Sequence, residues 1–98
     1  MQFAVKGAYF RGKEVRDLSD SLEEDAQVTV RREPDNQHDE YACAVFYEDI
    51  HIGYVEADMS FLVSGLFDED GHEEVTGRVI GHEQPGRAKW PVVQLDGP

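Results

Sequence analysis

Arg32 to Phe46 reads REPDNQHDEYACAVF. A proline turn, carboxylates, an amide and a histidine stand directly against an apolar run. Such side chains accept and donate hydrogen bonds, either to a ligand or to the turn that carries them. Pro34 has the fixed φ wanted at the second position of a type I turn, and Asp35 and Asn36 suit the positions that follow. Two readings are therefore open for the Asn36 amide and the Asp39 carboxylate. They tie up nearby backbone N–H groups, or they hold something.

Metal and nucleophile chemistry fit the same residues poorly. Asp35, Gln37 and Asp39 have the spacing of a calcium loop, but Glu40 stands where glycine is required. The twelfth position would be Phe46, which cannot ligate. The histidines at 38, 51, 72 and 82 and the single cysteine, Cys43, form no C-x-x-C or H-E-x-x-H pattern. Cys43 lies among strand formers, so it reads as a small buried hydrophobe of a reducing cytoplasm rather than as a thiolate. No phosphate-cradling loop is present, and no catalysis, metal or cofactor is expected.

The elements that must position the motif are mostly short strands. QFAVKGAYF reads as a first strand, with Gly7 permitting a bend. The acidic DLSDSLEED stretch that follows reads as a loop with one helical turn. AQVTVRRE alternates, with Val28 and Val30 on one face, until Pro34 stops it. YACAVFY is apolar on both faces, as in a closed or double-layered sheet. IHIGYV returns as its hairpin partner, with Ile50, Ile52 and Tyr54 on one side. Asp58 or Ser60 caps a short helix through Phe67, with an apolar stripe of Phe61, Leu62, Val63 and Leu66, and DEDG ends it. EEVTGRVIG, with Val75 and Val79 on one face, is another strand. HEQPGRAKWP is a loop, and VVQL closes the fold. The expectation is a mostly β chain with one or two short helices (α+β), forming a small β-barrel and a single domain over residues 1–98.

Charge narrows the partners. The 98 residues carry 21 acids against 9 bases, a formal −12. Nucleic-acid binders normally show the opposite balance, since Lys and Arg displace counterions from phosphates. The bases nevertheless cluster: Lys6, Arg11, Lys13 and Arg16 near the start, then Arg31 and Arg32, leaving room for one basic face. The acids concentrate in residues 17–25 and 68–74, read as solvated loops. No apolar run approaches the roughly 18 residues that cross a bilayer, so no membrane partner is expected.

REPDNQHDEYACAVF followed by HIGYV resembles the central signature of HIRAN domains: Arg, acid, Pro, Asn-x-x-Asp, Ala-x-x-Val, then Gly-Tyr or Gly-His on the next strand. AVKGAYF is similar to the family's first strand, and the likeness covers essentially the whole chain. It implies a compact barrel similar to an oligonucleotide-binding (OB) fold that holds the 3′-hydroxyl end of single-stranded DNA. By position, Asn36, Asp39 and Tyr54 would surround the terminal nucleotide. Tyr9 and Phe10 would stack on bases, unless they are ordinary wall aromatics. Arg11, Lys13 and Arg32 would meet phosphates. Where DNA-binding members carry Arg near the first aromatic, this chain has Tyr9; where they carry lysines after the Gly-Tyr strand, it has Glu56 and Ala57.

The resemblance thus points to a non-catalytic, cytoplasmic, stand-alone module for single-stranded DNA ends, in DNA repair or replication-fork processing. It would be of the sort bacteria and their phages encode, working through a larger DNA-processing protein or as an end sensor. The alternative is an acidic protein-interaction module on the same barrel that has lost DNA binding.

Overall fold

The computed structural model describes residues 1–70 and 74–96, with the side chains of 68–70 left aside. Its strands are β1 (Gln2–Lys6), β2 (Gln27–Arg32), β3 (Cys43–Tyr47), β4 (Ile50–Val55), β5 (Glu74–Glu83) and β6 (Trp90–Leu95). A one-turn 3-10 helix (Ala8–Phe10) and α1 (Lys13–Ser21) follow β1, and α2 (Ala57–Asp70) follows β4. The strands close into a barrel in the order β1-β4-β3-β2-β5-β6, every neighbour antiparallel. The small α+β barrel expected from the sequence is what the chain forms.

The interior is made by alternation. Val28 and Val30 of β2, Val45 of β3, Val79 of β5 and Val93 of β6 are almost wholly buried, with Phe3, Val5 and Ile52. Residues of α2 (Val63 and Phe67) and Leu22, just after α1, join that cluster. Cys43 belongs to it too, and burial pushes its thiol up to about 11, so it stays protonated at neutral pH.

Several local expectations are corrected. β1 stops at Lys6, because Gly7 takes φ 102°, and Tyr9 and Phe10 lie on the 3-10 turn instead of on a strand. Residues 13–21 form a true helix where a loop with one turn was expected. Val15 and Leu18 pack on the core, Lys13 pairs with Asp17 at i, i+4, and the His82 ring bonds the Ser19 carbonyl. Of the second acidic stretch, residues 68–70 extend α2 and residues 71–73 lie outside the described residues.

The pairing of β4 with β3 shifts between Val45 and Phe46 of β3, leaving Ile52 of β4 without a partner, so Ile52 turns inward while Ile50 stays exposed and Tyr54 half-buried. The three were expected on one side. The buried stripe of α2 is Ser60, Val63, Ser64 and Phe67, whereas Phe61 and Leu62 face outward. Both serine hydroxyls reach carbonyls three residues back, which removes much of the cost of burying them.

Candidate functional site

Residues 33–42 make a closed excursion between β2 and β3. The Glu33 N–H bonds the Ala42 carbonyl (2.8 Å) at its base, and the Asn36 N–H bonds the Glu33 carbonyl (3.1 Å) around Pro34–Asp35. Inside that turn Asn36 Oδ1 accepts from the His38 N–H (2.8 Å) and the Asp39 N–H (3.1 Å). Asp39 Oδ1 accepts from the Tyr41 N–H (2.9 Å). The turn-holding reading of both side chains is therefore realised. It does not exhaust them.

The single proton of the Ser60 hydroxyl is shared between Asp39 Oδ2 (3.0 Å) and the Ala57 carbonyl (3.0 Å), which ties the loop to α2. Glu33 Oε1 accepts from Asn36 Nδ2 (2.9 Å) and from the Tyr54 hydroxyl (3.0 Å), which ties it to β4. Asn36 also acts on the Tyr54 phenol, favouring loss of its proton against the pull of Glu33. Tyr54 can stand there because its neighbour is glycine. A Cβ at Gly53 would come 2.5 Å from the Lys6 carbonyl oxygen, closer than any side chain tolerates.

These residues face a groove of about 450 Å³. Asn36, His38 and Asp39 line it from the loop, Tyr54 and Val55 from β4, and Lys6, Gly7 and Phe10 from β1 and the turn after it. Glu56 and Ala57, where β4 passes into α2, complete the lining with Ala42. Phe10 is 95% exposed, an unusual state for so large an apolar ring.

The family model of the HIRAN domain matches residues 2–94, nearly the length of the chain. This chain belongs to the HIRAN domain family. No curated protein and no solved structure matches it.

In this HIRAN domain, four of the residues singled out from sequence meet at one groove: Asn36, Asp39, Tyr54 and Phe10. Arg11 stands beside it, its Nε donating to the His51 carbonyl (2.9 Å) and its charge felt by both His51 and Tyr54. The others lie elsewhere. The Tyr9 hydroxyl donates to the Arg87 carbonyl (3.2 Å) and accepts from the Lys89 N–H (3.1 Å), with the Arg16 guanidinium 5.5 Å from its ring centre. Tyr9 thereby fastens the loop between β5 and β6. Lys13 is paired with Asp17 on α1, 2.7 Å away, and does not line the groove. Arg32 is half-buried on β2 opposite Cys43 and does not line it either.

Sequence reasoning gave no site role to Glu33, His38 or Glu56, and placed Lys6 only among the bases of a possible basic face. Glu33 was visible as the acid before Pro34, and Lys6 as the base before Gly7, but nothing in the spacing showed which way they point. Lys6 Nζ sits 4.3 Å from the Trp90 ring centre, so the cation is held at the groove by an aromatic face.

The electrostatics follow from this packing. Burial, then the Glu33 carboxylate, raises the Tyr54 phenol above its ordinary value, so it stays a neutral hydroxyl. Burial and Arg11 lower the His51 imidazole. His51 is then a neutral ring that bonds the Gly53 carbonyl (2.9 Å), stacks on Phe46 (4.9 Å between centres) and meets Tyr54 edge-on.

Counting donors and acceptors shows what is left for a ligand. Asn36 has one N–H group and both carbonyl lone pairs engaged within the protein. Asp39 has one partner on each oxygen, which leaves an open lone pair on each. Tyr54 has given its proton to Glu33 and keeps its lone pairs. The polar wall can accept hydrogen bonds beside an exposed aromatic ring.

Proposed function

We propose that this HIRAN domain holds the 3′-hydroxyl end of a single DNA strand in the groove and catalyses nothing. HIRAN domains are nucleic-acid-binding modules, and the reading for this chain rests on one observation. The open acceptors of Asp39 and Tyr54 stand in the same groove as the exposed ring of Phe10. A hydroxyl donates to a carboxylate, whereas a phosphate is repelled by it. A base stacked on Phe10 gains roughly 1–3 kcal/mol without its sequence being read. Lys6 and Arg11 are the bases placed to meet the first phosphates, and Asn36 holds the loop that carries Asp39. The domain, residues 1–98 as one unit, would serve a larger cytoplasmic DNA-processing protein at repair sites or forks.

The test is a titration at low salt of two short strands, one ending in 3′-hydroxyl and the other in 3′-phosphate. The hydroxyl end binds better, Asp39→Asn narrows the difference, and Phe10→Ala weakens both. Equal affinity for the two ends removes Asp39 from the terminus. Glu56 in the groove wall and the charge of −12 favour a second reading, an acidic module for a basic protein partner. It predicts no strand binding even at about 50 mM salt, where phosphate contacts are strong.

A further inference from the structure

Glu33 lies behind the groove wall rather than in it, yet it bonds the two side chains that shape that wall. Its Oε1 receives Asn36 Nδ2 at 2.9 Å and the Tyr54 hydroxyl at 3.0 Å. A tyrosine hydroxyl has one proton and two lone pairs. Where the proton is free, the group serves phosphate oxygens and hydroxyls alike. Here the carboxylate, which can only accept, takes the proton. What Tyr54 offers the groove is acceptor lone pairs alone, beside the acceptor-only carboxylate of Asp39.

We infer that Glu33 is the specificity-determining residue of the site: by taking the Tyr54 proton it leaves the Tyr54–Asp39 stretch of the wall with acceptors only, which admit a hydroxyl-bearing end and exclude a phosphorylated one. This inference rests on the function proposed above, with the terminal hydroxyl as the donor. It assigns selectivity to a residue that touches no part of the ligand. Glu33 is a positioning residue, and Tyr54 and Asp39 make the contact. The raised phenol of Tyr54, to which Glu33 contributes after burial and which Arg11 opposes, is the expected mark of such a clamp.

Glu33→Gln tests it, because glutamine keeps the shape and can still bond both partners. It can also turn its amide N–H towards Tyr54, releasing the phenol proton to the groove. The variant should melt like the parent and bind the 3′-hydroxyl strand. Its preference over the 3′-phosphate strand should shrink about tenfold, the size of one charge-assisted hydrogen bond. In parallel, Tyr54 should ionise at lower pH, read by phenolate absorbance with Tyr54→Phe as the blank. Glu33→Ala should lose selectivity and melt earlier. If Glu33→Gln leaves both the end preference and the Tyr54 titration where they were, the inference is overturned. If the parent binds neither strand while the Tyr54 titration still moves in Glu33→Gln, the proposed function fails and the clamp on Tyr54 stands.

Discussion

At the scale of single residues, Asn36 and Asp39 sit three positions apart in the same turn and do different work. The Asn36 side chain is engaged by His38, Asp39 and Glu33. Asp39 keeps open lone pairs towards the groove. Truncating Asn36 therefore costs folding stability. Two lost backbone bonds alone are worth about 2 kcal/mol, at roughly 1 kcal/mol each. Asn36→Ala should lower the denaturant midpoint accordingly, whereas Asp39→Asn, which can keep its bonds to Tyr41 and Ser60, should move it little. An Asn36→Ala protein with an unchanged midpoint but no strand binding would instead make Asn36 a direct contact. Tyr9 and Phe10 part in the same way: the first has its hydroxyl tied to the 84–89 loop, the second has no polar group and faces solvent.

At the scale of elements, legibility followed how simply each pattern mapped onto burial. β2 was plain because its alternation is strict and Val28 and Val30 both point inward. β3 was plain because both faces are apolar. α1 was hidden by its acids: the eye follows Asp17 and Asp20, while Val15, Leu18 and Leu22 carry a helical stripe beneath them. The stripe of α2 was misplaced because two serines occupy core-facing positions, acceptable only because their hydroxyls bond back to the helix. On β4 a bulge turned Ile52 inward, and no single-strand pattern announces a bulge. The site was legible through its motif: Asn36, Asp39, Tyr54 and Phe10 were named, and the barrel brings them together. Glu33 was not, and Lys6 only as one base of a possible basic face, since their importance lies in contacts across to β4 and Trp90 that only the closed sheet creates.

At the scale of the molecule, the −12 charge is unevenly placed. Glu23, Glu24, Asp25 and Glu48 gather around Tyr47, at one end of β3, while the groove begins by Ala42, before its other end. The overall field repels DNA, so attraction depends on the bases beside the groove. Lys6 and Arg11 are so placed, whereas Lys13 is paired on α1 and Arg32 lies outside the groove. Two phosphate contacts at roughly −0.7 each give a slope of log K against log salt of about −1.4 for a single strand. Lys6→Ala should halve that slope, and Lys13→Ala should leave it unchanged. A slope near zero in the parent would mean that neither base meets a phosphate.

The barrel closes along an uneven set of seams. β5 and β6 are registered from Gly77–Leu95 to Glu83–Trp90, but the β1–β4 register covers Val5–Val55 and Lys6–Tyr54, continued by the Glu56 N–H bonding the Ala4 carbonyl (3.0 Å). That short seam forms the floor of the groove, with Lys6 and Tyr54 themselves in its lining. A short ladder is where a closed sheet breathes first. A strand end resting on Phe10 and bonded to Tyr54 would bridge the two sides like a clasp across the hinge of a locket. Amide hydrogens of Lys6 and Tyr54 should then exchange more slowly when the ligand is bound, while those along β5 and β6 should not change. The barrel would be loosest at the point where it binds, and the ligand would complete its closure.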